Sequence, residues 1–300
     1  YSSGQKVQSY GGFEPRVSLR IGLSKMHSIK LSYNRTRQYL HLITNTTAIS
    51  PADFWKLSDN YLPPQVADQY AAGYYLNLKD NVYEFSVEGY YKNISSLLEA
   101  KNGAILLLNP QLETALITAR GLAYGVELSA KKNKGQFTGQ VNYTYARTFI
   151  QSLSTFALEQ INQGNWFPAN YDKPHILNVA ANLTLGRGWS MSSNFTYNTG
   201  RPAIYPDGNY SVAGYPLINY SRRNADRIPD YHRLDWAITK NTRQNKEQLR
   251  YSTWVFSLYN VYGRENPYSV YFARFNRITR AYQLAVFGSI VPALSWNYNF

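Results

Sequence analysis

Three features predict an all-β chain, an antiparallel transmembrane β-barrel of outer-membrane type. Apolar residues recur at every second position, charges are confined to the positions between them, and tight turns alternate with long connections. No stretch approaches the roughly 20 apolar residues of a membrane helix, and the longest purely aliphatic run is AILLL at 104–108. Tyrosine dominates the rings, with 28 copies against 13 Phe and 6 Trp. It suits boundaries where a ring is buried and its hydroxyl stays wet. With no cysteine, disulfides, thiolate chemistry and zinc-thiolate sites are excluded.

The strands follow in order. RVSLRIGL sets Val17, Leu19 and Ile21 against Arg16, Ser18 and Arg20; after a turn at SKM, Ile29, Leu31 and Tyr33 complete a hairpin. Tyr70, Ala72, Tyr74, Leu76 and Leu78 lead through a turn at Lys79-Asp80 to Tyr83, Phe85, Val87, Gly89 and Tyr91. Leu122, Tyr124, Val126 and Leu128 lead through KKNKG to Phe137, Val141, Tyr143 and Tyr145. Leu177, Val179, Ala181, Leu183 and Leu185 lead through GRG to Trp189, Met191, Phe195 and Tyr197. A fifth connection, NTRQNKEQ, joins HRLDWAIT to RYSTWVFSLYNVY, and because both faces of 249–262 are partly apolar its outward face is left unassigned. In the closing LSWNYNF, Leu294, Trp296, Tyr298 and Phe300 oppose Ser295, Asn297 and Asn299. Extending that row back through Pro292, Ile290, Gly288, Val286 and Leu284 predicts one long last strand with a Gly/Pro interruption.

Between the hairpins lie long segments, about 38–67, 93–120, 148–173 and 199–231, so one rim carries tight turns and the other elaborate loops. A soluble sandwich or propeller would alternate similarly. The charges favour the membrane. Arg16, Arg20, Lys30, Glu84, Glu88, Glu127, Arg233 and Asp235 all fall on the second row, where a wet lumen accepts them. A Lys or Arg facing mid-bilayer lipid costs roughly 2–4 kcal/mol. The alternative, a soluble all-β binding module, predicts purification without detergent.

Several stretches resemble the C-terminal barrel half of TonB-dependent outer-membrane receptors, especially the large Bacteroidetes-type group: EPRVSLRIGL, KLSYNRTRQYLHL, YEFSVEGYYKN, YGVELSAKK followed by GQFTGQVNYTYART, YDKPHILN, RIPDYHRLDW, SLYNVYGRENPYSVYF and AYQLAVFGSIVPALSWNYNF. The resemblance implies a barrel of about 22 strands around a plugged lumen, preceded by a plug domain and a box that engages TonB. The opening YSSGQKVQSYGG shows neither of these, nor a signal peptide. With short turns periplasmic and long loops extracellular, the count is about eleven strands. An odd count leaves antiparallel edges that cannot close on each other. The expectation is that residues 1–300 are the C-terminal portion of the barrel, an incomplete barrel with an unpaired first strand. Leu294, Trp296, Tyr298 and Phe300 resemble the signal read by the barrel-assembly machinery.

The resemblance also implies a function: uptake of a nutrient ligand at the bacterial outer membrane with energy supplied through the TonB complex. Implied partners are lipid and lipopolysaccharide, the unknown nutrient, and, as in some members of the group, a surface lipoprotein. The alternative is a passive porin or adhesin-type barrel without energy coupling. Whether the ligand is a siderophore, glycan, peptide or vitamin is left open.

The chain carries no sign of an enzyme. His27, His41, His175 and His232 lack metal-ligand spacing. His232, near Asp230 and Asp235, reads as structural. GxSxG, P-loop and dinucleotide motifs are missing, and Glu84 and Glu88 read as lumen polarity. No catalytic residue, metal or cofactor is expected. Lys131, Lys132 and Lys134 read as a solvated turn, and nucleic acid is not an expected partner despite a net charge of +13. Arg201, Arg222, Arg223 and Arg227 in the 199–231 loop suit acidic ligands or lipopolysaccharide phosphates. Tyr205, Tyr210, Tyr215 and Tyr220 of that loop, with Arg222 and Arg223, are the candidate ligand contacts, because rings stack on sugars and flat chelators.

Overall fold

A computed structural model describes residues 8–43, 54–213, 215–243, 250–275 and 278–300. Eleven antiparallel strands form the wall: β1 (Arg16–Gly22), β2 (His27–Gln38), β3 (Gln65–Leu78), β4 (Tyr83–Ala100), β5 (Leu116–Lys132), β6 (Phe137–Ser152), β7 (His175–Gly186), β8 (Trp189–Asn198), β9 (Tyr231–Asn241), β10 (Tyr251–Tyr259) and β11 (Val291–Asn299). They pair in strict chain order, with the short Phe167–Pro168 strand added beside β6. Among the described residues β1 pairs only with β2 and β11 only with β10. The wall is therefore an open, incomplete barrel, as the odd strand count led us to expect.

Register makes the period of two continuous from strand to strand. Leu76, Phe85, Ala130, Val141, Val179, Phe195 and Leu234 stand abreast across successive strands. One residue out of phase, Ser86, Ser129, Asn142, Asn178, Thr196 and Arg233 form the facing polar row. A one-residue slip would exchange the faces. The apolar row is solvent-accessible in the isolated chain, with Val17 63% and Leu294 69% exposed. The inner row of a water-soluble sandwich would instead be covered by a second sheet. Pairing also settles 249–262: Trp254, Phe256 and Leu258 oppose Trp296, Leu294 and Pro292, so they point outward.

Rings border the apolar band on both sides. Tyr33, Tyr70, Tyr91 and Tyr124 adjoin one another towards the loops. Towards the turns stand Trp189, Lys240, Trp254 and Trp296, the last two stacked at 5.6 Å. Lys240 lies 5.1 Å over the Trp189 ring and donates to the Arg187 carbonyl at 2.6 Å, so its ammonium reaches the rim while its stem covers apolar surface.

The tight connections occupy 23–26, 79–82, 133–136 and 187–188. At Lys79, Asp80 and Asn81 the chain runs through three consecutive left-handed residues, φ 50°, 52° and 62°. Part of NTRQNKEQ, 244–249, lies outside the described residues. The long connections run over 39–64, 101–115, 153–174, 199–230 and 260–290. Two expectations change. The 93–120 loop is shorter, because β4 and β5 stay paired out to Ala100 and Leu116 across a bulge between Ile94 and Leu97. The long last strand is broken: Ile278–Ala285 pairs with Pro267–Phe275 in a separate hairpin. Phe287 turns through φ 52°, and the Asn260 amide donates to the Phe287 and Ser289 carbonyls at 3.3 and 3.4 Å. Gly288 lies in that break and Pro292 already belongs to β11, opposite Leu258, so the alternation across it is accidental.

The buried cores sit at the loop end, away from the middle of the wall. Ile94, Leu97, Ile117, Ile150, Ile161 and Phe167 form one cluster and Ile43, Leu62, Leu106 and Leu116 belong to another.

If the outer row meets hydrocarbon, Val87→Arg lowers the unfolding free energy of the protein in phospholipid vesicles by roughly 2–4 kcal/mol. Ser192→Arg, on the inner row, changes it by about 0.5 kcal/mol or less. Equal losses in denaturant titrations would contradict the assignment of faces.

Candidate functional site

The long loops are joined into one body by buried ions. Arg223, 4% exposed, is the centre of one lock. Its Nη1 donates to Glu99 Oε2 at 3.3 Å and to the Ala100 carbonyl at 2.8 Å, and its Nη2 to Asn102 Oδ1 at 2.8 Å. Its backbone N–H donates to Asn162 Oδ1 at 2.9 Å, and the Asn162 amide returns a bond to the Arg223 carbonyl at 3.0 Å. Burial holds the Arg223 pKa below the usual arginine value, with Glu99 opposing the shift. Asp172, 2% exposed, is the second lock. It accepts from Arg147 Nε at 3.3 Å, from the Thr148 N–H at 2.7 Å and from Arg227. Arg227 Nη1 also donates to the Asp172 and Gly200 carbonyls at 2.8 and 2.9 Å. The 101–115, 153–174 and 199–230 connections thus share two ion-centred joints.

These contacts sort the sequence candidates. Arg223 and Arg227 are occupied by loop packing, whereas Arg222 is exposed. Tyr205 packs within its loop: its hydroxyl donates to the Arg227 carbonyl at 2.9 Å, and its ring meets Phe272 edge-on at 5.1 Å. Burial, with Asp226 nearby, raises its pKa. Tyr210 and Tyr220 are 50% and 51% exposed on the hairpin of Pro206–Val212 and Tyr215–Tyr220. Tyr210 pairs with Leu217, three residues from Tyr220, so the two rings point to opposite faces. The Tyr215 side chain lies outside the described residues. Tyr205, Tyr210 and Tyr220 therefore do not assemble into one platform. Leu294, Trp296, Tyr298 and Phe300 share the outer face, their last three rings in successive contact.

The histidines serve packing. His232 bonds the Tyr262 hydroxyl at 2.8 Å on the outer face, while its neighbour in register, Arg233, points inward with Asp235. His175 bonds the Tyr143 hydroxyl at 2.8 Å. Among the described residues no group of three acidic, His or Cys side chains is arranged to hold a metal. Glu88 faces Glu127 across the inner wall, and Glu84 faces Lys131, so both stand on the polar row, as the sequence led us to expect.

Reading the sequence missed a cavity of about 400 Å³ where the inner wall of β8–β10 meets the loops. Asn198, Tyr231 and Tyr259 form its inner-face floor; Arg201, Tyr268 and Phe287 come from two loops. The floor is rigid. Arg233 donates through Nη1 to the hydroxyls of Tyr231 and Tyr259, each at 2.7 Å, and is itself held by Asp235 at 2.8 Å. Arg264 donates to the Asp230 carbonyl at 3.0 Å, and Asn266 and His232 exchange two bonds at 3.0 Å. A Cβ on Gly200 would lie 1.7 Å from the Ile228 carbonyl, so this wall requires glycine. A larger hollow of about 860 Å³ lies over Ala72 and Gly89 on the apolar outer face.

No protein-family model and no curated protein matches the sequence. Solved structures match the fold. The ferripyoverdine receptor of the outer membrane of Pseudomonas aeruginosa aligns over 96% of this chain and 33% of its own, at 12% identity and a TM-score of 0.56. The fold resembles the barrel of TonB-dependent receptors. BauA, the ferric preacinetobactin receptor from Acinetobacter baumannii, aligns over 96% of this chain and 36% of its own at 15% identity and a TM-score of 0.58. The outer membrane transporter YddB from Escherichia coli aligns over 91% and 38% at 13% identity and 0.53. The chain spans about a third of the length of these receptors.

Two loop-stability outcomes follow. Arg223→Met leaves Glu99 and Asn102 without their buried partner, a loss of roughly 3–5 kcal/mol. Hydrogen exchange should then rise together in 101–115, 153–174 and 199–230 while the wall is unchanged; a rise confined to 199–230 would contradict the shared joint. Acid should also loosen the loops. The Asp59 carboxyl is raised by burial but carried net below its usual value by Lys56 and the N–H groups of Tyr61 and Leu62. Lys101 and Ser154 lower Glu159, and for Asp230 burial is outweighed by the Tyr197 hydroxyl and the Gly200 N–H. Depressed carboxylates stabilise the fold above their unfolded pKa and lose that contribution as pH falls through the folded value. Loop proteolysis should therefore accelerate below about pH 4, and a pH-independent rate between 5 and 3 would refute this.

Proposed function

We propose that this chain is the C-terminal portion of the barrel of a TonB-dependent outer-membrane transporter that takes up a nutrient ligand. One observation carries the reading: the wall is open at both edges and sets an exposed apolar face against a polar one. Neither β1 nor β11 has a second partner among the described residues. In lipid an unpaired backbone edge costs several kcal/mol per group, so further strands must complete the barrel. The likeness to receptors whose whole chains are about three times as long fits that requirement. The loop body, tied by Arg223 and Asp172, shapes the extracellular mouth through which a ligand enters. Energy reaches the ligand through a plug domain and TonB outside residues 1–300. The Leu294–Phe300 row serves the barrel-assembly machinery, and outward-facing rings meet lipid and lipopolysaccharide. The Bacteroidetes-type character rests on the sequence stretches alone.

The test is conductance of the complete gene product in planar bilayers, together with the reading frame upstream of Tyr1. A plugged transporter shows no steady conductance, and its frame encodes a plug and a TonB box. Stable open-channel steps from a product without a plug would replace this reading with a passive porin.

A further inference from the structure

The cavity between the inner wall and the loops combines features that together select a ligand. Its volume, about 400 Å³, lies within the range of small-molecule sites. Its rings come from Tyr231, Tyr259, Tyr268 and Phe287, and two cations, Lys173 and Arg201, line it with no Asp or Glu among the described residues. Other nearby cations pair with carboxylates: Arg227 with Asp172, Arg223 with Glu99 and Arg233 with Asp235. Arg264 and Asp230 stand together, Arg264 donating to the Asp230 carbonyl at 3.0 Å, while the Asp230 carboxylate accepts from the Tyr197 hydroxyl at 2.6 Å and the Gly200 N–H at 2.9 Å. Lys173 and Arg201 make no side-chain hydrogen bond or ion pair among the described residues. Both are exposed, as are Tyr268 and Phe287 at 68% and 66%, while the hydroxyls of the two floor rings are already fixed by Arg233. The site therefore offers the ring faces of Tyr231 and Tyr259, their hydroxyls tied to Arg233, beside two positive charges without a carboxylate partner.

We propose that this cavity binds an organic anion with a flat, aromatic or otherwise apolar body, its acidic group held between Lys173 and Arg201 and its body against Tyr231, Tyr259 and Tyr268. A neutral molecule of the same shape would gain the ring contacts and forgo both ion pairs. A cation would meet two like charges. The site differs from the exposed tyrosine hairpin at Pro206–Tyr220, from which no residue lines the cavity. The inference deepens the transport reading and rests on it only for the side from which the ligand arrives. Binding is measured without transport, so the two fail independently.

The test uses the complete protein in lipid nanodiscs, with empty nanodiscs as blank, and measures equilibrium binding of 1-naphthoate and its neutral analogue 1-naphthalenemethanol. The expected result is saturable naphthoate binding at least about tenfold tighter than that of the alcohol. The double variant Lys173→Gln/Arg201→Gln abolishes that preference, Tyr268→Ala weakens both probes, and Lys25→Gln at a tight turn changes neither. Because both cations are exposed, these variants leave the fold intact, which unchanged loop proteolysis verifies. Equal affinity for the two probes, a charge preference that survives the double variant, or no saturable naphthoate binding would each overturn the proposal.

Discussion

Hydrocarbon offers no hydrogen-bond partner to a backbone, and in the proposed barrel the rest of the structure depends on that constraint. Every wall N–H and C=O must be met by a neighbouring strand, which forces the chain to pair in strict order from β1 to β11. Once register is fixed, alternate residues divide between the faces automatically. Leu76 through Leu234 become one outward row, and Ser86 through Arg233 the inward one. The same constraint makes the two edges conspicuous, because the wall cannot end at β1 or β11 in a membrane.

A lipid-facing wall has no interior of its own, so the packed cores lie elsewhere. They sit at the loop end, where Ile94, Ile117, Ile150 and Phe167 meet. There the buried ions pin separate connections to each other. An unpaired buried arginine would be costly, and Arg223 is acceptable only because Glu99, Asn102, Asn162 and the Ala100 carbonyl surround it. That arrangement keeps the mouth in one shape. It also leaves exposed, uncommitted side chains such as Lys173 and Arg201 on a firm base.

Much of the wall was legible in the sequence because strand alternation is a local property. Val17, Leu19 and Ile21 against Arg16, Ser18 and Arg20 declare both strand and face. Legibility failed where faces are set by a partner strand. Trp254, Phe256 and Leu258 share their segment with Val255 and Tyr259, and only register with β11 assigns them. The apparent strand from Leu284 to Phe300 failed for the opposite reason: local alternation persisted across a break held by Asn260. Loop chemistry was least legible. Arg222 and Arg223 are neighbours in sequence, yet one is exposed and the other is enclosed by residues 99–102 and 162. The cavity joins Lys173, Arg201 and Tyr268 across three connections, and no local motif signals it.

The division of faces is the central claim, and its most direct test is spin-label accessibility along β5. Residues 1–300 hold no cysteine, so single labels can be placed from 122 to 130 in the complete protein folded into phospholipid bilayers, with any cysteine outside these residues replaced by serine. The account predicts a period of two: labels at Leu122, Tyr124, Val126 and Leu128 are relaxed by oxygen from the bilayer, and those at Glu127 and Ser129 by a water-soluble nickel complex. Alternation of the opposite phase, or uniform relaxation by the nickel complex, would contradict a lipid-facing wall.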